Sequence, residues 1–243
     1  HRAMPMTPEQ SEQLKSRLGV IGVVSARFIP KLELQTPAKG ALAGAGAGAG
    51  ATLEAGGKGS SGEGAVLGIL LAPVGAVAGA VMADSAKDVN EREAIIKKAI
   101  TEIKTQETIR DRFLKTVQEK TKFQFTLAEG YGPSVDGELP DYSNLKEKGI
   151  VTVHEITVKQ FGLKGEGKIN PDLSLYMILK ARLVNLTNNT ELFKNTFTCE
   201  GERHKFAEWA VNDALLFRQE FERCYQNLSE NMMRDIYMLN NIK

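Results

Sequence analysis

The chain has 243 residues, 42% of them hydrophobic and 25% charged, and its formal net charge is +1. Those shares are ordinary for a globular protein with a sizeable core, in one large domain or two small ones. A charge so near balance gives no electrostatic footprint for nucleic acid, so a nucleic-acid partner is not expected.

The opening HRAMPMTPEQSEQ is polar and carries proline, so no signal peptide is visible. His1 has the look of a cut or tag-derived end, which leaves a removed leader open. Residues 1–17 read as a polar N-terminal lead, with Thr7 to Arg17 a short helix or a tail. Leu18 to Leu34 (LGVIGVVSARFIPKLEL) is a β-rich apolar run. Its first half has the continuous character of a strand buried on both faces. From Arg27 onward apolar and polar residues alternate, which predicts that the strand leaves the core there.

Residues 40–84 then spend most of the glycine. Gly40, Gly44 and Gly48 recur every fourth residue in a first arm; Gly64, Gly68, Ala72, Ala76 and Ala80 do so in a second, with Gly75, Gly79 and Ala83 beside them. On a helix such a row is a smooth face on which a second helix approaches to backbone contact, the small-xxx-small pattern of membrane helix pairs. The expectation is a glycine-zipper hairpin insert at 40–84, with the packing residues Gly40, Gly44, Gly48, Gly64, Gly68, Ala72, Gly75 and Gly79 and a turn at Gly57 to Glu63. Ala65 to Ala83 carries no charge and as a helix is roughly 28 Å long, close to a hydrocarbon core of about 30 Å. It just spans; the first arm, roughly 20 Å, needs a partner. Pro73 in mid-arm is tolerated where neighbouring helices satisfy the freed carbonyl. Ala-Gly alternation also fits a silk-like strand or a mobile linker.

The rest, with residues 18–39, reads as an α+β body over 85–243. Asp84 and Ser85 stand where an N-cap belongs, ahead of one long amphipathic helix over 91–120 lying on a sheet, with Ile96, Ile100, Ile103, Phe113, Leu114 and Val117 near one stripe. KFQFTL at 122–127 reads as a short strand, and 128–143 as an irregular surface loop. Ile150 to Phe161 is the next strand. Its apolar phase switches from Val151 and Val153 to Ile156 and Val158, which predicts a bulge. Leu173 to Leu183 alternates as a strand buried on one side, Asn185 to Thr190 turns the chain, and Phe193, Phe197 and Cys199 share one face of a third strand. This is an antiparallel meander. Lys205 to Leu239 reads as a second long helix whose apolar face runs Ala207, Ala210, Ala214, Phe217, Phe221, Leu228 and Met232. Two long amphipathic helices packed on a mixed and antiparallel sheet make the fold class α+β.

Chemistry is sparse. Gly162 to Ile169 (GLKGEGKI) nearly spells a phosphate loop, but Ile169 stands where a Mg²⁺-binding hydroxyl belongs and the segment joins two strands, so it reads as a hairpin loop. His1, His154 and His204 have no metal-ligand spacing, so no metal or cofactor is expected. Glu200, Glu202, His204 and Glu208 read as a cap with solvated surface, and Trp209 as a core or interface anchor. No acid, base and nucleophile can be drawn together, so no catalytic residue and no enzyme activity are expected. Cys199 ends a strand while Cys224 lies 19 residues beyond Lys205, about 28 Å along a helix axis. A disulfide needs Cα atoms within about 7 Å, so the two are expected to stay unpaired in one subunit, as small buried hydrophobes.

Taken together, LGVIGVV, the amphipathic helix, the meander and the closing helix resemble the envelope lipoproteins of the curli-secretion (CsgG-like) and TolB N-terminal-like type. The nearest local match is ARLVNLTNNTELFKNTF, similar to that family's strand, polar turn and strand beginning Glu-Leu-aromatic. It covers residues 18–30 and 91–243; the glycine-rich block departs from it, as does the lack of a lipidated N-terminal Cys. The resemblance implies a bacterial periplasmic or outer-membrane component that assembles into rings, without enzyme activity. The expected function is thus a non-enzymatic cell-envelope protein in an assembly, transport or secretion complex. Its expected partners are copies of itself, a membrane reached through residues 64–83, and other envelope proteins. The alternative is a soluble binding or adaptor module with a flexible Gly/Ala-rich loop.

Overall fold

The structure, a computed structural model, describes residues 7–37, 86–167 and 171–239. The glycine-rich block, its eight packing residues and the Asp84-Ser85 cap position lie outside the described residues.

Helix α1 (Pro8–Leu18) forms where the sequence left a helix or a tail open, because both of its ends are capped. The Thr7 hydroxyl accepts from the Gln10 amide at 3.2 Å and the Gln10 side chain accepts from the Thr7 N–H at 2.8 Å. That is a capping box, with Pro8 at the first helical position. Gly19, at φ +54°, ends the helix with its N–H on the Lys15 carbonyl, a left-handed position that favours glycine. Leu14 and Leu18 are buried, which ties the helix to the body.

Strands β1 (Val20–Ser25) and β2 (Lys31–Leu34) follow, then α2 (Ala86–Glu102), α3 (Thr105–Lys120), β3 (Gln124–Leu127), a short α4 (Ser143–Lys146), and the long strands β4 (Thr152–Gly165), β5 (Asp172–Asn185) and β6 (Thr190–Lys205). The sheet order is β3-β1-β4-β5-β6. β1 lies parallel between β3 and β4, and β4, β5 and β6 form the expected antiparallel meander. β2 runs along the same edge of β4 as β1, further up: Ser25 faces Ile156 and Lys31 faces Gln160. The apolar run 18–34 is therefore two strand segments that share one neighbour.

One face of the sheet is covered by helices. Leu173, Leu175, Met177, Leu179, Ala181 and Leu183 of β5 turn their alternating side chains into this core, with Ile156, Val158, Phe161 and Leu163 of β4. The fold class is α+β, as expected, but both long helices are broken. Residues 91–120 are covered by α2 and α3, separated at Ile103 and Lys104. Just after the break, Gln106 is buried and bonded to Val158 of β4. The closing segment is α5 (Phe206–Trp209), α6 (Val211–Met233) and a π-helical turn (Arg234–Met238). Asn212, Asp213 and Ala214 take left-handed backbone at its start, and Asn and Asp tolerate that conformation better than most residues. After them α6 runs back along β6, burying Ala214, Phe217, Phe221, Cys224, Leu228 and Met232.

That reversal corrects the cysteine expectation: Cys199 and Cys224 form a disulfide, with Cα atoms 5.7 Å apart. The expectation takes Cys199 as the end of the strand and counts 19 residues along the helix from Lys205. β6 instead continues six residues past Cys199 to Lys205, roughly 20 Å outward. The ten residues from Ala214 to Cys224 then carry the chain roughly 15 Å back.

The phase switch in β4 has a different origin from the one expected. Residues 152–158 are all buried because both faces are covered, one by helices and the other by a smaller cluster of Val24, Ala128, Tyr142, Leu145, Ile150, Val153 and Leu186. Segment 128–150 thus roofs part of the sheet's second face through Tyr142 and Leu145. The bulge itself comes later, between Val158 and Gln160. Gly162 and Gly165 of the near-phosphate string belong to β4. A Cβ at Gly162 would sit 1.7 Å from the Glu33 carbonyl oxygen, so glycine is what lets β2 approach.

Candidate functional site: an apolar groove over the strand break

Where β1 stops and β2 has not begun, the edge of β4 opposite β5 has no strand neighbour over Thr157 to Lys159. Gln106, the buried residue at the start of α3, takes that place. Its side-chain amide donates to the Val158 carbonyl at 3.0 Å and to the Phe28 carbonyl at 3.3 Å, and its oxygen accepts from the Val158 N–H at 2.9 Å. One side chain thus substitutes for a missing strand residue and ties α3, β4 and the 26–30 connection together. Buried backbone groups need such partners.

Above this plug lies a groove of about 410 Å³ between the 26–30 connection and the α2–α3 break, lined by Ala26, Phe28, Ile29, Ile100, Ile103 and Phe161 among others. Ile29 is 92% exposed at its rim. Lys104 and Glu107 stand at the polar margin. Such a groove suits an apolar group or side chain. It holds no arrangement of a nucleophile beside a base.

The buried titratable groups with displaced equilibria lie elsewhere. His154 is fully buried; its Nδ1 shares a hydrogen bond with the Tyr237 hydroxyl at 2.9 Å, and its ring centroid is 4.3 Å from that of Phe113. Burial drives its pKa down to about 3. It is a neutral core histidine. On the second face Glu155 accepts from the Tyr142 hydroxyl at 2.5 Å and from Arg182 Nη2 at 2.6 Å, all three buried. Burial, then the Glu155 charge, raises the Tyr142 pKa. Further along, the Tyr176 hydroxyl donates to Glu33 at 2.7 Å and accepts from Gln160 at 2.7 Å, with its pKa pushed up to about 12 by burial and then by the Glu33 bond. A phenol so held stays protonated, a strut between β2, β4 and β5.

The residues singled out from sequence fall as follows. Of the Glu200–Glu208 group, Glu208 is a cap, accepting from the Lys205 N–H at 3.2 Å and lying 3.3 Å from His204 Nδ1, while Glu200 pairs with Lys164 and Glu202 with Arg223. Trp209 is a fully buried anchor with its indole N–H on the His204 carbonyl. Glu155, Arg182 and Tyr142 were missed, although Glu155 in mid-strand between Val153 and Ile156 was a visible irregularity. Gln106 left no signal beyond being an amide on a helix. Among the described residues no helix is long and apolar enough to cross a membrane, and no cluster of His, Cys, Asp and Glu fits a metal ion.

No known family profile matches the chain, and no curated protein matches it. Among solved structures it is similar to a Xanthomonas campestris protein of the DUF330 family, at 13% identity over 54% of this chain and 60% of that one, with a TM-score of 0.36. It is similar to a lipoprotein from Neisseria meningitidis at 27% identity over 25% of this chain and 40% of that one, with a TM-score of 0.22. The PelC dodecamer of Paraburkholderia phytofirmans matches at 10% identity over 53% of this chain and 73% of that one, with a TM-score of 0.34. The chain thus spans 60% or less of the length of the first two. None of the three is described as a curli-secretion or TolB-like protein.

Proposed function

We infer that the chain is a non-enzymatic bacterial cell-envelope protein: an α+β body that self-associates and reaches a membrane through residues 64–83, as a component of an envelope assembly, transport or secretion complex. The observation that carries this reading is the Cys199–Cys224 disulfide. Structural disulfides form and persist in oxidising compartments, the bacterial periplasm among them, and are rare in the cytosol. The full burial of His154 favours a body without catalysis at that residue. In residues 64–83 the every-fourth-residue small positions support close helix packing.

Fractionation of cells making the full chain or a form lacking residues 40–84 tests the reading. The full chain is expected in the membrane fraction and the shortened form in the soluble one. Replacing Gly68 and Gly79 together with Leu is expected to weaken retention. Identical partition of all three proteins would favour the adaptor reading, with the block as a flexible loop.

A further inference from the structure

Among the described residues β6 pairs with β5 on one side only, which leaves a 16-residue strand as an edge of the sheet. Its sequence has an internal symmetry that its register makes physical. The β5 residues with even numbers, Ser174 to Val184, turn away from the helical core, and opposite them stand Arg203, Glu200, Thr198, Thr196, Lys194 and Glu191. These six share the second face of the sheet, and all six are exposed. The register slips twice in β6, once at Leu192 and once at Gly201-Glu202, five residues to either side of Phe197.

Place a two-fold axis perpendicular to the sheet at Phe197 and run a second β6 antiparallel to the first. Glu191 then faces Arg203, Lys194 faces Glu200, Thr196 faces Thr198, and the bulge at Leu192 meets the bulge at Gly201-Glu202. Every pair on that face is opposite in charge or Thr with Thr, the cross-strand pairs that stabilise antiparallel sheets. Registers centred between residues set the core face of one copy against the open face of the other. Centring on Thr196 puts Lys194 against Thr198; centring on Thr198 puts Arg203 against the core-facing Phe193. Only Phe197 aligns the bulges as well as the charges.

We propose that β6 docks antiparallel on β6 of a second copy of this chain, about a two-fold axis at Phe197, to join the two sheets into one. The contact runs from Glu191 to Arg203, roughly 40 Å. The disulfide holds the edge against α6, so little order is lost on pairing. Glu200 now lies 3.5 Å from Lys164 and accepts from the Ser174 hydroxyl at 3.1 Å, and Arg203 lies 3.8 Å from Glu166; the two ion pairs are exposed and exchange at little expense. The interface uses no residue of 40–84 and is independent of the membrane reading.

Sedimentation equilibrium of the full chain in mild detergent at low salt tests it, with Lys194→Glu, Glu200→Lys and the double variant. Each single reversal places two like-charge contacts in the dimer and is expected to weaken association by roughly tenfold or more. The double variant restores both contacts and is expected to recover native association. A monomeric parent, an association unaffected by the single reversals, or a double variant as weak as the singles each overturns the proposal. Membrane fractionation of the same variants stays as in the parent, so the edge can fail while the envelope reading stands.

Discussion

Replacing Gln106 with Leu removes one side chain that satisfies three backbone groups. The Val158 N–H and carbonyl lie where β4 is covered on both faces, so neither is re-satisfied by solvent; the Phe28 carbonyl, at the rim, is. A buried polar group left without a partner costs about 1–3 kcal/mol. Two such groups give about 2–6 kcal/mol, of which the apolar surface that Leu buries offsets a part. With a urea m value of about 2 kcal/mol/M, the unfolding midpoint should fall by about 1–3 M. The control is Glu107→Leu, the exposed neighbour on the same turn, which should cost no more than about 0.5 kcal/mol, a midpoint shift of about 0.25 M or less. Urea titrations followed by circular dichroism measure both. Equal shifts for the two variants would refute the idea that the Gln106 amide stands in for a strand.

Three further outcomes follow from the same structure. Phe221→Ala, at a ring packed against Phe161, Phe217 and Tyr225, should lose about 3–5 kcal/mol, whereas Glu222→Ala, which breaks only an exposed pair with Arg112, should lose about 1 or less; matching midpoints would mean that α6 is not buried. Reducing the disulfide opens a loop with a sequence separation of 25 and should lower stability by about 3.5 kcal/mol, read as the difference between urea midpoints with and without reductant. His154 is held neutral by burial with its pKa pushed down to about 3, against an ordinary histidine value of 6.5, so the unfolded chain binds the extra proton. Stability is complete above about pH 6.5 and falls as pH drops towards 3, by at most about 1.4 kcal/mol per unit; between pH 6.5 and 5, His154→Phe should show a flatter profile than the parent, and parallel profiles would remove the histidine from the account.

The strands were legible because their alternation is a local pattern. β5 shows it over six turns of the pleat, and the Asn-rich turn to β6 announces itself. The helices were legible only as amphipathic stretches: apolar spacing continues across Ile103 and Lys104, and what breaks the helix is a contact between Gln106 and a strand 52 residues away. The disulfide failed for the same reason. Its two cysteines meet only because β6 overshoots and α6 returns, and no residue near either one records that path. The Glu155–Arg182–Tyr142 network joins three segments, and only the register of β4 against β5 places the first two opposite each other. Local periodicity reads from a sequence; satisfaction of a buried polar group by a partner distant along the chain does not.

The central claim, that this body resides in the oxidising cell envelope, rests on the thiols. Cells making the full chain should be quenched in acid, denatured, and treated with a maleimide of high mass without reductant, in parallel with membrane and soluble fractions. The account predicts a membrane-fraction chain carrying no label, since Cys199 and Cys224 are bonded to each other, and two labels per chain once reductant is added first. A chain in the soluble fraction that takes two labels without reductant would contradict it.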